Sequence, residues 1–124
     1  MATITPTAST VSRANYKHMN RRSQVVIMTW ETLTEADTAA AVCPTGADSL
    51  FFQATGTFGG ATLVLQGSND GTNWVTLTDE TDTAISLNAA GGVSVLERPA
   101  YIRPSASSGS SQDIDCTLAA SVRG

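Results

Sequence analysis

Apolar and polar residues alternate with a period of two along much of this chain. In SLFFQATGT (49–57), Leu50, Phe52 and Ala54 fall on one face. This spacing predicts a β-strand that buries one side. The last alternating segment, DIDCTLAASV (113–122), has the same pattern and predicts another strand with one face in a core.

Six further segments have the composition of strands. They are rich in β-branched and aromatic residues and are bounded by Gly, Pro, Asn or Asp. They are SQVVIMTWETL (23–33), ATLVLQGS (61–68), NWVTLT (73–78), TAISL (83–87), GVSVLE (92–97) and AYIRPSAS (100–107). About eight short strands with turn signals every 8–12 residues or so predict an all-β fold, an antiparallel β-sandwich of jelly-roll-like type.

The N-terminal part of the chain lacks this alternation. Residues 1–22 are rich in Thr, Ser and Ala and then become basic. We therefore predict an extended basic N-terminal arm over 1–22 and a β-sandwich domain over 23–124. Trp30, in the first strand of that domain, is expected to pack the arm onto the body.

Two short segments predict an edge strand and a hairpin turn at the surface of the sandwich. Pro99 and Pro104 flank AYIR, and proline donates no ladder hydrogen bond, so this strand is predicted to lie at an edge. In QGSNDGTNW (66–74), the Asp70-Gly71 pair supplies the positive φ of a hairpin turn. Trp74 then ends the loop as a candidate anchor for a partner, with Asp70 beside it.

Charge is divided unevenly between the two regions. The net charge is −4, yet four of the seven basic residues lie in the first 22 positions, and the first acid is Glu31. A basic arm on an acidic body suggests that the arm reaches a different surface. The acidic body argues against nucleic acid as a partner. The candidate partner-binding residues of the arm are Arg13, Tyr16, Lys17, Arg21 and Arg22.

The sequence offers no convincing catalytic or metal-binding set. His18 lies in the arm, and Asp113 and Asp115 are expected on the wet face of the last strand. We therefore expect a protein that is not an enzyme, with no catalytic residue, metal or cofactor. Cys43 and Cys116 could form one disulfide or remain two buried thiols.

Targeting features point to a soluble product of the host cytoplasm. No apolar run approaches the roughly 20 residues of a membrane span. The first ten residues lack the basic start and apolar stretch of a secretory signal. No membrane partner is therefore expected.

Three segments carry a resemblance to a known class of proteins. ATLVLQGSNDGTNWVTLTD (61–79), AYIRPSAS (100–107) and IDCTLAASVRG (114–124) resemble the small β-sandwich virion structural proteins of tailed bacteriophages. The resemblance implies a capsid decoration or cement protein on the capsid surface. Its expected partners are the major capsid protein and further copies of itself, as a dimer or trimer.

Two other functions remain open at this point. The DGxxW hairpin and the YIR strand are also similar to discoidin-like jelly rolls, in which case Trp74 and Asp70 would bind a sugar. A tail or neck component of the same virion is the other alternative, which the sequence does not distinguish from a capsid protein.

Overall fold

The computed structural model describes residues 3–12, 23–44 and 47–123. Within these residues the chain forms strands and no helix. The strands are β1 (Thr3–Ile4), β2 (Thr7–Ser12), β3 (Ser23–Leu33), β4 (Thr38–Ala39), β5 (Ala47–Thr57), β6 (Thr62–Ser68), β7 (Val75–Thr76), β8 (Ser86–Leu87), β9 (Gly91–Val95), β10 (Tyr101–Ser107) and β11 (Asp113–Arg123).

Two antiparallel sheets form the body of the molecule. The larger has the order β2-β3-β11-β5-β9, and the smaller has the order β10-β6-β7, with β8 also paired to β6. A short pair, β1 and β4, is parallel. The predicted all-β class is therefore confirmed, with one parallel pair in addition to the expected antiparallel ones.

One apolar core lies between the two sheets. Phe52 of β5 and Leu118 of β11 come from the larger sheet, Leu65 of β6 and Ile102 of β10 from the smaller, and none of the four is exposed to solvent. All four belong to one continuous cluster, which is what defines a sandwich. The alternation predicted for 49–57 and for 113–122 is confirmed, because their apolar faces are the buried ones.

Trp30 is the largest fully buried side chain of this core. Its indole Nε1 donates a hydrogen bond of 2.8 Å to the carbonyl oxygen of Ala40. The Ala40 N–H in turn donates to the carbonyl oxygen of Ile4 over 2.9 Å. Trp30 therefore reaches the N-terminal segment through Ala40, rather than packing an arm onto the outside of the body.

The segment predicted as an arm is in part a component of the sheets. β1 lies against β4, and β2 pairs with β3 from Thr7↔Thr29 to Ser12↔Gln24. Residues 3–12 are thus held on the body, which corrects the expectation of an arm along these ten positions. Residues 13–22 lie outside the described part of the chain, and they join the ends of two neighbouring strands.

The sheet register defines two ends of the sandwich. At the first, which we call the Ser12 end, Ser12, Gln24, Val122 and Ala47 lie side by side in one row. At the opposite end, the Leu33 end, Leu33 pairs with Ile114 of β11. The 13–22 segment therefore starts and finishes at the Ser12 end.

The strand AYIRPSAS forms β10 and ends the smaller sheet, as its prolines predict. Pro104 lies opposite Leu65 of β6, in a ladder of seven residue pairs. The outer side of β10 is partly covered, because Val42 and Ile102 exchange two backbone hydrogen bonds of 2.9 Å. This edge is therefore less open than the proline pattern suggested.

The two cysteines have different environments. Cys116 is a free thiol buried in the core, whereas Cys43 is exposed. The question of a disulfide between them is thereby answered, since Cys116 has no bonded partner. Burial, with a smaller contribution from the neighbouring Asp115 carboxylate, raises the pKa of the Cys116 thiol to about 12.

We predict that Cys116 resists alkylation in the folded protein. Its raised pKa keeps the thiol neutral, so its contribution to stability is complete below the unfolded thiol pKa of about 8.5 and is lost as pH rises toward 12. Mass spectrometry after iodoacetamide treatment should show Cys116 unmodified at neutral pH and modified in urea. Equal labelling of Cys116 with and without urea would contradict its burial.

We predict that Gly67→Ala destabilises the sandwich. A Cβ at this position would lie 2.5 Å from Cγ of Pro99 and 2.7 Å from Cδ2 of Leu77, so the core would be overpacked. Overpacking of this kind costs about 1–3 kcal/mol of unfolding free energy, measurable by urea denaturation. Gly91→Ala is the matched control, because the nearest atom to its new Cβ would be at 3.9 Å.

Candidate functional site

The candidate site of the sequence analysis is the hairpin between β6 and β7. The two strands pair antiparallel through Gln66↔Thr76 and Gly67↔Val75, so the predicted hairpin is confirmed. Gly71 adopts the expected positive φ, at 77°. The connection spans residues 69–74, however, which makes it a longer loop than a two-residue turn.

The carboxylate of Asp70 holds the loop in place by accepting hydrogen bonds from the residues around it. Its Oδ1 accepts hydrogen bonds of 2.8 Å from the backbone N–H groups of Thr72 and Asn73 and from the Ser68 hydroxyl. Its Oδ2 accepts a further bond of 2.8 Å from Nδ2 of Asn73. The bonds from Asn73 and Thr72 hold the pKa of Asp70 well below its ordinary value, with Ser68 adding to the effect.

Ser68 and Asn69 complete the loop and bind it to the residue just before β10. Oγ of Ser68 accepts from the backbone N–H of Gly71 at 2.9 Å and from that of Asp70 at 3.2 Å. Oδ1 of Asn69 accepts from the N–H of Ala100 at 3.2 Å. The side-chain oxygen atoms of Ser68, Asn69 and Asp70 therefore serve as acceptors for the protein's own backbone N–H groups.

Trp74 contacts an arginine that the sequence analysis did not single out. Cζ of Arg103 lies 4.0 Å from the centre of the Trp74 ring, a cation–π distance. Nε of Arg103 donates to Oε1 of Gln66 over 3.0 Å, and these two residues are directly paired across β10 and β6. One face of Trp74 is thus covered by a guanidinium group, so stacking of a sugar would have to use the other face.

The alternation in NWVTLT (73–78) predicts that Val75 and Leu77 both point inward, and this prediction is wrong for one of them. Leu77 is buried as expected, but Val75 exposes 64% of its surface. Val75 shares a face with its partner Gly67. The side chains of Pro99 and Leu77 lie over Gly67 on that face. They do not shield Val75, which lies in the edge strand β7.

A groove of about 510 Å³ runs between this loop and the segment that follows β9. Its walls include Asp70 and Val75 on one side and Glu97 and Arg98 on the other. Burial acts to raise the pKa of Glu97, but hydrogen bonds from the hydroxyl and N–H of Thr78 outweigh it and lower the pKa.

Arg98 joins this groove to the larger sheet. It donates to the carbonyl oxygen of Asp48 on β5, one residue after Ala47. A second groove of about 550 Å³ continues from Arg98 to Cys43 and Tyr101. The loop, both grooves and the start of β5 therefore lie together at the Ser12 end.

The last strand carries two aspartates, one of which has a structural role. Asp113 and Asp115 are exposed, as expected, and Oδ1 of Asp115 accepts from the N–H of Thr32 at 3.1 Å, where the β3–β11 register shifts. Asp115 thus stabilises a bulge.

The candidate partner-binding residues of the N-terminal segment lie outside the described part of the chain. They are Arg13, Tyr16, Lys17, Arg21 and Arg22, and the same holds for His18.

The described residues hold neither a cluster of metal-binding side chains nor a membrane-spanning helix. Across 3–12, 23–44 and 47–123, no three His, Cys, Asp or Glu side chains are grouped to hold a metal ion. In the same part of the chain, no helix is long and apolar enough to cross a membrane.

Comparisons with known proteins give one structural neighbour to report. No protein-family model matches the chain, and no curated protein matches its sequence. Among solved structures, the chain is similar to a cleaved adhesin domain of Lys-gingipain from Porphyromonas gingivalis, with a TM-score of 0.37 and 11% identity. The alignment covers 94% of this chain and 91% of the adhesin domain.

We predict that Asp70→Asn lowers the melting temperature at neutral pH. The pKa of Asp70 is depressed in the folded state, so its contribution is present above the unfolded value of about 3.9 and is lost as pH falls below it. Melting curves between pH 7 and pH 2 should therefore converge for the variant and the unmodified protein. Asp48→Asn, an exposed carboxylate on β5, is the matched control and should shift the curves little.

Proposed function

We propose that this chain is a non-enzymatic structural protein of a bacteriophage virion. Its role would be that of a capsid decoration or cement protein, which binds the assembled shell of the major capsid protein and stabilises it. Support comes from the β-sandwich and from the segments that carry the resemblance. Two of them, 61–79 and 100–107, supply β6, β7 and β10 of the smaller sheet, and the third supplies β11.

The observation that carries this proposal is the separation of charge along the chain. Residues 13–22 hold four of the seven basic residues and no acid. This segment begins and ends at the Ser12 end, between strands that pair with each other. A basic segment attached to an otherwise acidic domain suits docking on a negatively charged surface.

Binding to a repeating shell would strengthen weak ionic contacts of this kind. Ion pairs at exposed surfaces contribute only about 0–1 kcal/mol each. A protein that associates with itself and also binds a repeating shell makes several contacts at once, and these reinforce each other without new chemistry. Weak charge-dependent docking is thus sufficient for a decoration protein.

We predict that removing the basic charge of this segment weakens shell binding. Deleting 1–22 would also remove β1 and β2, so substitution to glutamine is the cleaner change. The variant replaces Arg13, Lys17, Arg21 and Arg22. In co-sedimentation with emptied heads of the phage that carries it, apparent affinity should fall by at least about tenfold.

The control variant has the same net charge but keeps the basic segment. It introduces glutamate at four exposed positions elsewhere on the domain, namely Ala36, Thr55, Ala89 and Ser110. This control should still bind. Equal binding by both variants, or a particle map that places the chain only on the tail or neck, would contradict the capsid proposal.

A further inference from the structure

The edge of the larger sheet formed by β2 is open. β2 pairs with β3 on one side, and no described strand lies on its other side. The edges formed by β9 and β10 are partly covered by contrast. Val95 of β9 bridges to Asp79, and Ile102 of β10 bonds to Val42. Among the described residues, β2 (Thr7–Ser12) therefore has no strand partner along one side, toward which alternate residues point their N–H and C=O groups.

Within Thr7–Ser12 itself, the β2 edge carries none of the usual protection. Natural edge strands avoid unwanted pairing by means of lysine, proline, bulges or a covering segment. The β2 sequence TASTVS contains no charged residue and no proline, and its register with β3 runs without a shift. Such an edge is a template for adding another strand.

We propose that two copies of this chain pair through their β2 edges, antiparallel about a two-fold axis. The interface would consist of β2 from each copy, with Thr7 of one copy opposite Val11 of the other and Ser9 on the two-fold axis. The result would be a continuous ten-stranded sheet, joined by about six backbone hydrogen bonds at the junction. This pairing is independent of any capsid, because the protein alone supplies both partners.

Charge determines the orientation of the pair. The segment that carries four basic residues starts directly after Ser12. Acidic residues lie beyond the other limit of the β2 pairing, where exposed Glu31 on β3 is followed by exposed Glu35 in the next turn. Antiparallel pairing places the basic end of each copy beside the acidic end of the other. Parallel pairing would bring the two basic ends together, which like-charge repulsion disfavours.

The first test is the solution mass of the full chain. Light scattering on a size-exclusion column should give twice the monomer mass of 12.8 kDa across a concentration series. The double variant Ala8→Lys, Ser9→Lys changes two exposed positions in the middle of the edge and should raise the dimer dissociation constant by about tenfold or more. Ala89→Lys, in the exposed turn before β9, should leave the dimer unchanged. A monomer at every concentration, or a dimer equally stable in the double variant, would overturn the proposal.

A cross-linking test addresses the orientation and leaves the middle of the edge intact. Both proteins carry Cys43→Ser, one with Thr7→Cys and the other with Val11→Cys, which share one face of the strand. Mild oxidation of the mixture should give a disulfide between the two different proteins. Four residues of strand, about 14 Å, separate like positions in the antiparallel pair, so neither protein alone should cross-link. Cross-linking of each protein with itself would indicate parallel pairing and overturn the two-fold arrangement.

Discussion

The rest of the structure depends on the double pairing of β11. This strand lies between β3 and β5 and is paired along most of its length with each of them. Its inward residues, from Ile114 to Ala120, are buried against the smaller sheet. β11 therefore supplies both the hydrogen bonds that unite the larger sheet and the apolar face that closes the core.

The position of β11 in the chain makes this a demanding arrangement. The strand at the centre of the sheet is the last one in sequence, and its partners begin at Ser23 and Ala47. Contacts over such distances are slow to form, because the loops must close before any pairing energy is gained. Until β11 is in place, β3 and β5 would each leave one edge unpaired, so the sandwich is completed only by its final strand.

The strands were predictable because one face of each is buried. Phe52 and Leu118 lie on faces that the two-residue period identifies without knowledge of the partner strand. Short pieces such as β1 and β4 were not predictable, since two residues carry no period. The N-terminal strand β2 was missed for a related reason, as TASTVS has no apolar face and gains its place from the backbone of β3.

The candidate site shows the same limit. Asp70 and Gly71 indicate a turn by their own chemistry, and the turn is present. The contact between Trp74 and Arg103 depends on the β10–β6 register, which brings Gln66 opposite Arg103. Trp74 and Arg103 are far apart in the sequence, and only the pairing of β10 with β6 brings them together.

The internal hydrogen bonds of Asp70 have one further consequence. A loop whose carboxylate, hydroxyl and amide groups already satisfy each other has little conformational freedom left to lose. The wall that it gives to the groove is therefore in its final shape before any other molecule arrives. Binding of another molecule at this wall would avoid the entropic cost of ordering a loop. A given contact area there would therefore contribute more to the binding free energy.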